Sequence, residues 1–408
     1  MKCRHCQNEM QDVFLDLGCA PPSNAYLSAE ALQAPETFFP LKLYACHHCW
    51  LVQTEDYTKA DELFSSDYAY FSSTSESWLH HAALYAERIT KRLGLNGESL
   101  VIEVGSNDGY LLRNFVAADI PCLGLEPTNS TAEAAEKIGI PVMRAFFSKK
   151  TAAALVEMGK RADLVCANNV YAHVPDINDF TEGLYLLVKD EGVITLEFPH
   201  LMRLIEQNMF DTVYHEHFSY LSLTTVARVF EEAGLRVFDV EELQTHGGSY
   251  RIYGCRKNNP RSNSPMVQEI IAREKTFGLQ DIEVYRAFQQ KADTVKNEFL
   301  AFLVAQWRAG KSVAAYGAAA KANTLMNYAG IKQDLVHFVC DAAPSKQGKF
   351  MPGSRIPIFP PSELNRRKPD WVVIFPWNIA EEIMQQQQQV LAWGGKFITA
   401  VPKLQVLS

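Results

Sequence analysis

Two close cysteine pairs, Cys3-x-x-Cys6 and Cys46-x-x-Cys49, fall within the first fifty residues. A two-residue spacer lets both sulfurs of a pair face one point. Two such pairs close four thiolates around one tetrahedral zinc. Four ligands leave no open coordination position, so the metal is expected to be structural. His5, His47 and His48 lie within or beside the pairs as alternative ligands. Neither pair precedes a helix in a thioredoxin-like unit, which argues against redox chemistry. The other five of the nine cysteines (Cys19, Cys122, Cys166, Cys255 and Cys340) are scattered singly. An odd count behind an N-terminus that lacks an apolar signal core argues against a disulfide framework.

The zinc region, residues 1–65, has short alternating segments and a turn at Ala20-Pro21-Pro22-Ser23-Asn24, too irregular for a large core of its own. Beyond it the pattern changes. Ser77 to Leu93 reads as an amphipathic helix ended by Gly94. Buried strands are expected at 100–104, 122–127, 162–168 and 192–197, separated by helices, with two more at 236–241 and 249–254. Strands alternating with helices mean a doubly wound α/β domain, here 66–260. The polar stretch 258–265 marks a boundary. A long helical segment to about Ala309 and a second α/β unit, with strands at 312–317, 336–341, 371–375 and 396–400, fill 261–408.

The 408 residues include 39 Lys and Arg against 47 Asp and Glu, a net charge of −8. Binding to a nucleic-acid backbone wants a basic patch, so the acidic balance argues against DNA or RNA as a partner. No apolar run approaches the roughly 20 residues of a membrane helix. The expectation is a soluble, cytoplasmic protein without a membrane partner; the oligomeric state is left open.

Glu103-Val104-Gly105-Ser106-Asn107-Asp108-Gly109 follows a strand and opens a helix. The glycines at 105 and 109 permit tight turning and close approach of the backbone to a ligand. Asn107 stands where a dinucleotide fingerprint needs glycine. Acid-x-Gly-x-x-x-Gly instead fits a loop that wraps the amino-acid part of S-adenosylmethionine (SAM). Glu126 ends the second strand, where a carboxylate can accept both ribose hydroxyls. Asn168 and Asn169 end a later strand at the same carboxyl edge of the sheet.

Tyr214-His215-Glu216-His217-Phe218-Ser219-Tyr220 concentrates acid–base groups. It lacks the HExxH pattern of a metal-binding helix. A histidine can remove a proton acidified by a neighbouring carbonyl, an adjacent carboxylate can orient it, and a phenol can donate to a developing enolate. His173 lies just past Asn168 and Asn169. Tyr68 belongs to a hydroxyl-rich loop, 68–73, able to cover the site. His246-Gly247-Gly248-Ser249-Tyr250-Arg251 is a polar turn entering a strand. Gly317-x-x-x-Lys321 after a strand offers backbone N–H groups and an ammonium to a phosphate.

This ordered set resembles the nucleotide-sugar C-methyltransferases that act on keto-deoxysugars, the tetronitrose and mycarose 3-C-methyltransferases among them. The resemblance spans essentially the whole chain, including Tyr316-Gly317-Ala318-Ala319-Ala320-Lys321-Ala322-Asn323. It implies a small N-terminal zinc-binding domain, a Rossmann-like class I methyltransferase core and a C-terminal α/β domain that helps hold a nucleotide-diphosphate keto-sugar. SAM would contact Glu103, Gly105, Asn107, Asp108, Gly109, Glu126, Asn168 and Asn169. His217 resembles the general base, with Tyr214, Glu216, His173 and Tyr68 as further active-site side chains. Ser249, Arg251, Tyr316, Lys321 and Asn323 are the expected substrate contacts, and Cys3, Cys6, Cys46 and Cys49 the zinc ligands. Tyr250 departs from the family pattern, where an aliphatic residue is expected. Two other readings stand beside this one: an O- or N-methyltransferase on a small acceptor, and a non-catalytic zinc-containing binding module.

Overall fold

The computed structural model describes residues 1–57 and 71–407. Their strands form three sheets. In the first, Asp12–Ala20, Phe39–Ala45 and Val52–Thr54 pair antiparallel in chain order. A fourth strand comes from far along the chain: Ser219–Tyr220 pairs antiparallel with Val52 and Gln53.

The second sheet has seven strands. Its spatial order is Leu235–Leu243, Ser249–Arg256, Val188–Pro199, Ala162–Asn168, Val101–Val104, Cys122–Leu125, Val142–Met143. The five from Val188–Pro199 onward are parallel, and Ser249–Arg256 runs antiparallel between two neighbours. This is the Rossmann-like class I methyltransferase arrangement that the sequence implies. Val101–Val104 is buried throughout, which explains its continuous apolar run around Glu103. The helix before it, Glu76–Leu93, begins at Ser75, whose side chain accepts from the N–H of Trp78, and ends at Gly94 with φ of 65°. Only a residue at ease in the left-handed region stops a helix this way at little cost.

The third sheet is ordered Ile358–Phe359, Val339–Cys340, Val313–Tyr316, Trp371–Ile374, Lys396–Thr399, Gln405–Leu407, parallel except for the last strand. The long helical segment before it is three helices, Pro265–Phe277, Ile282–Arg286 and Phe288–Arg308, broken first at Gly278 with φ of 102°. The helix Pro265–Phe277 packs back on the second sheet, where Val267 and Ile270 join its core.

The small first sheet has no closed core of its own. Phe14 stacks on Phe288 with ring centroids 4.7 Å apart and meets Tyr285 edge-on. Its apolar face thus shares one cluster with Phe210, the long helix and one face of the third sheet. Among the described residues no helix is long and apolar enough to cross a membrane.

Both α/β sheets reverse direction at a crevice beyond their carboxyl ends, where such sheets bind ligands. In the second sheet that crevice lies between Val101–Val104 and Ala162–Asn168. In the third it lies between Val313–Tyr316 and Trp371–Ile374.

Candidate active site and zinc centre

The two cysteine pairs fold into matching knuckles. Gln7 and Trp50, each one residue past its pair, adopt left-handed φ of 60° and 67°. Their N–H groups donate back to the carbonyls of Cys3 and Cys46 at 3.0 and 2.8 Å. The four sulfur atoms lie within 4.8 Å of one another, and no disulfide links them. Four soft donors at that spacing fit one tetrahedral zinc. His5 faces Asn178 instead, with Nδ1 2.8 Å from Oδ1.

At the second sheet's crevice the glycine loop winds through left-handed turns at Gly105, Asn107 and Gly109, with φ of 68°, 48° and 79°. A Cβ on Gly105 would stand 2.5 Å from Cγ2 of Val170. Glu126 tightens the loop by accepting from the N–H groups of Asn107 and Thr128, both at 2.9 Å. Asn107 Oδ1 and Asp108 Oδ2 accept from Ser72 and Ser73 N–H at 2.9 and 3.0 Å, tying the residues past the Tyr68 loop to the glycine loop. Tyr68 itself lies outside the described residues. Glu103 is fully buried, and burial followed by the charges of Glu126 and Asp108 pushes its carboxyl well above the usual range. Asp108 Oδ1 and Asn169 Oδ1 are buried without a hydrogen-bond partner. Such atoms cost about 1–3 kcal/mol each unless a ligand satisfies them. A ligand with an ammonium and ribose hydroxyls supplies those donors, so the crevice fits SAM. Gly105→Ala combines an unfavourable φ with the Val170 contact and is expected to weaken SAM binding at least about tenfold. Isothermal titration reads this directly; unchanged affinity would show that the loop tolerates a side chain.

The Tyr214–Tyr220 segment lies against this crevice because its far end is part of the first sheet. Thr54 N–H donates to Phe218 O at 3.2 Å, and Thr54 Oγ1 donates to His217 O at 3.3 Å. The His217 ring lies tilted 4.1 Å from the Tyr214 ring centroid and meets His173 edge-on at 4.6 Å. Burial, then His173 and His246, hold its imidazole well below the ordinary value, while the Thr212 backbone works the other way. His173 is lowered to about 4, chiefly by burial; its Nδ1 lies 2.8 Å from Glu216 O. Both imidazoles are therefore neutral near pH 7, with one nitrogen of His173 facing the Glu216 carbonyl.

The Glu216 carboxylate does not orient His217, contrary to the sequence expectation. Successive side chains diverge on this irregular loop, and Glu216 instead receives Asn24 Nδ2 at 2.8 and 3.1 Å. Of the expected substrate contacts, only Lys321 reaches the junction between the two crevices. Its ammonium donates to Asn378 at 2.8 Å and sits 4.7 Å above the Trp377 ring. Burial lowers its pKa, and Asp211 opposes that. Arg251 is 2% exposed, ion-paired to Glu197 at 2.5 Å and stacked 4.3 Å from the Tyr85 ring, so it is spent inside the second sheet. Ser249 Oγ closes its own turn on Thr245 O. Tyr316 joins the far-side core of the third sheet. Asn323 Nδ2 donates to Ser23 O at 2.6 Å. Tyr250, the departure from the family pattern, lies flat on His200 with centroids 3.8 Å apart, a stack that an aliphatic residue could not make.

The structure gives a partner to His246 of the polar turn and adds Trp377 and Asp211, which sequence reading passed over. His246 adopts a left-handed φ of 55° and reaches Asn169, Nε2 to Nδ2 at 3.3 Å. Trp377 Nε1 donates to Asp211 Oδ2 at 2.8 Å. Asp211 is raised to about 6 by burial, with Lys321 acting against it. The signals were there in principle: a histidine before a Gly-Gly turn, and polar residues just past a strand at the third sheet's reversal point.

The profile of the C-methyltransferase C-terminal domain matches residues 244–402. A zinc-binding domain profile matches 3–64, and a methyltransferase domain profile matches 78–240. The C-methyltransferase NovU of Streptomyces niveus is 32% identical over 407 residues, covering 100% of this chain and 97% of that protein. Among solved structures, the magnesium protoporphyrin IX methyltransferase of Synechocystis with bound SAM is 13% identical, with a TM-score of 0.32, over 43% of this chain and 79% of that one. A SAM-dependent methyltransferase of Thermotoga maritima is 18% identical, with a TM-score of 0.37, over 49% and 100%.

Proposed function

Because the chain belongs to the C-methyltransferase family and is a SAM-dependent enzyme with a structural zinc, we propose that it methylates C3 of a 4-keto-deoxy nucleotide sugar, with His217 as general base. The observation that carries the proposal is the close grouping of the half-buried His217, His173 and Tyr214 rings. Methylation at carbon requires a carbanion, and a proton next to a ketone is the one a neutral imidazole can remove.

In this reading the glycine loop, Glu126, Asn168 and Asn169 hold SAM, which supplies an electrophilic methyl group when bound. The neutral His217 imidazole meets the substrate C3 proton through an unprotonated ring nitrogen. Tyr214 or His173 supports the enolate oxygen through a hydrogen bond that strengthens as charge develops. The half-buried setting limits the water that would reprotonate the carbanion. Lys321 faces the diphosphate, steadied by Asn378 and by the Trp377 ring, with Asp211 as its buried counter-charge.

The test is proton exchange at the acceptor. A panel of 4-keto sugar nucleotides is incubated with the enzyme in deuterium oxide without SAM. The expected result is deuterium at C3 of the accepted sugar, read by mass. A sugar that is methylated by the complete system yet never exchanges would overturn the enolate route.

A further inference from the structure

The turn at Ser23–Tyr26 belongs to the zinc-bearing unit by sequence, yet it is fastened to the other parts of the molecule. Asn323 of the helix Ala320–Tyr328 donates to Ser23 O. Tyr26 Oη donates to Ala318 O at 2.6 Å. Leu27 and Phe350 exchange backbone hydrogen bonds at 3.0 and 2.8 Å. Held this way, the turn delivers Asn24 to the Glu216 carboxylate. Among the described residues Asn24 is the one side chain that hydrogen-bonds that carboxylate. Glu216 is 3% exposed, and its main-chain carbonyl meets His173.

We propose that Asn24 is a positioning residue of the active site, whose amide clamps both oxygens of Glu216 and so holds that carboxylate in the segment that also carries His217. The zinc-bearing unit then supplies part of the catalytic machinery. The inference rests on the reading that Glu216 serves the reaction. A buried carboxylate is penalised in its charged form, and N–H donors to that form oppose the penalty. Burial raises Glu216 to about 7, and Asn24 is what works against the rise. The other titratable groups around it are Tyr26 on the same turn, His173 on the turn Tyr171–His173, and His215 and His217 on its own loop. Tyr26 is pushed above its ordinary value by burial and then by Asp341 and Glu216. The three histidines are all lowered by burial. Glu216 is therefore the member of this group that titrates near neutrality.

The experiment compares Asn24→Ala, the isosteric Asn24→Asp and Glu216→Gln with the parent. The methyl-transfer rate is measured from pH 6 to 9 on the keto-sugar nucleotide that exchanges. Removing the clamp is expected to move the acid limb up by about one pH unit, a loss of about fivefold at pH 7 that recovers by pH 9. Asn24→Asp, which sets a like charge against Glu216, moves the limb further. An unmoved limb, or a loss equal at every pH, overturns the proposal. If Glu216→Gln keeps the parent rate and profile, it is the reading of Glu216 that fails. A substrate-free arm follows urea unfolding against pH. An acid whose folded value is raised holds its proton in the fold, so stability falls as pH climbs from the usual carboxylate value of about 4.3 to about 7. Glu216→Gln should flatten that fall. Asn24→Ala should extend it to higher pH, and an unchanged slope in both would also overturn the proposal.

Discussion

His217→Asn is expected to lower the methyl-transfer rate by about 10²–10⁴-fold, the usual worth of a positioned general base, while leaving SAM affinity at the parent value. The two effects separate because the SAM contacts and the base lie on different elements. The glycine loop and Glu126 are built by the second sheet alone. His217 is held by the first sheet through Thr54 and by the rings of Tyr214 and His173. Asparagine keeps a polar group in the cavity but has no nitrogen able to take a proton. Deuterium exchange at the acceptor carbon should fall with the rate, since both depend on the same proton removal. The pH dependence sharpens the test. Burial keeps His217 below the ordinary histidine value, so it is the neutral, competent form at pH 7. A fall in rate between pH 8 and 6 should therefore follow the carboxyls Glu216 and Asp211, at about 7 and 6, and not the histidine. A His217→Asn enzyme that methylates within a few-fold of the parent would remove the residue from the mechanism.

Much of this arrangement was legible from the chain because it depends on local chemistry. The knuckle spacing is a property of four residues and fixes a metal site without reference to the rest. The strand–loop–helix at Glu103–Gly109 is likewise local, and so is the helix stop at Gly94. What sequence could not place were side chains whose direction is set by contacts between distant segments. Arg251 is expected from the sequence as a substrate contact after a polar turn, yet Glu197, its register partner on the adjacent strand, claims it. Glu216 adjoins His217 in sequence but answers to Asn24, 192 residues away. Ser219–Tyr220 reads as the tail of a histidine cluster, and only its pairing with Val52 and Gln53 shows it to be a strand of the zinc-bearing sheet. The short strands Ile358–Phe359 and Gln405–Leu407 carry too few residues for periodicity to show. Tyr68, outside the described residues, stays a proposal drawn from resemblance.

Loss of the metal is expected to have the other large effect, and to reach the reaction although the four cysteines lie on other elements than His217, the proposed base. Cys49→Ser, or stripping zinc with a chelator, removes a ligand set that in small zinc modules binds with about 10–16 kcal/mol. That is comparable with the whole stability of a typical domain, about 5–15 kcal/mol, and the first sheet has little core of its own to offset the loss. The knuckles tie the N-terminal residues to Cys46–Cys49, and the strand Val52–Thr54 begins three residues later. When that strand loosens, its pairing with Ser219–Tyr220 and the Thr54 contact to His217 O loosen with it. The Asn24 turn, carried by the same unit, loses its hold on Glu216. The second sheet and its glycine loop share no strand with the zinc unit, so SAM binding should persist. The expected pattern is thus metal content near zero, a lower melting temperature, methyl transfer down at least about a hundredfold, and titrated SAM affinity within a few-fold of the parent. Equal loss of SAM binding would mean that the zinc unit holds the whole chain together rather than the catalytic loop. Full activity without metal would show that packing of Phe14 against Tyr285 and Phe288 suffices to keep the first sheet, and with it His217, in place.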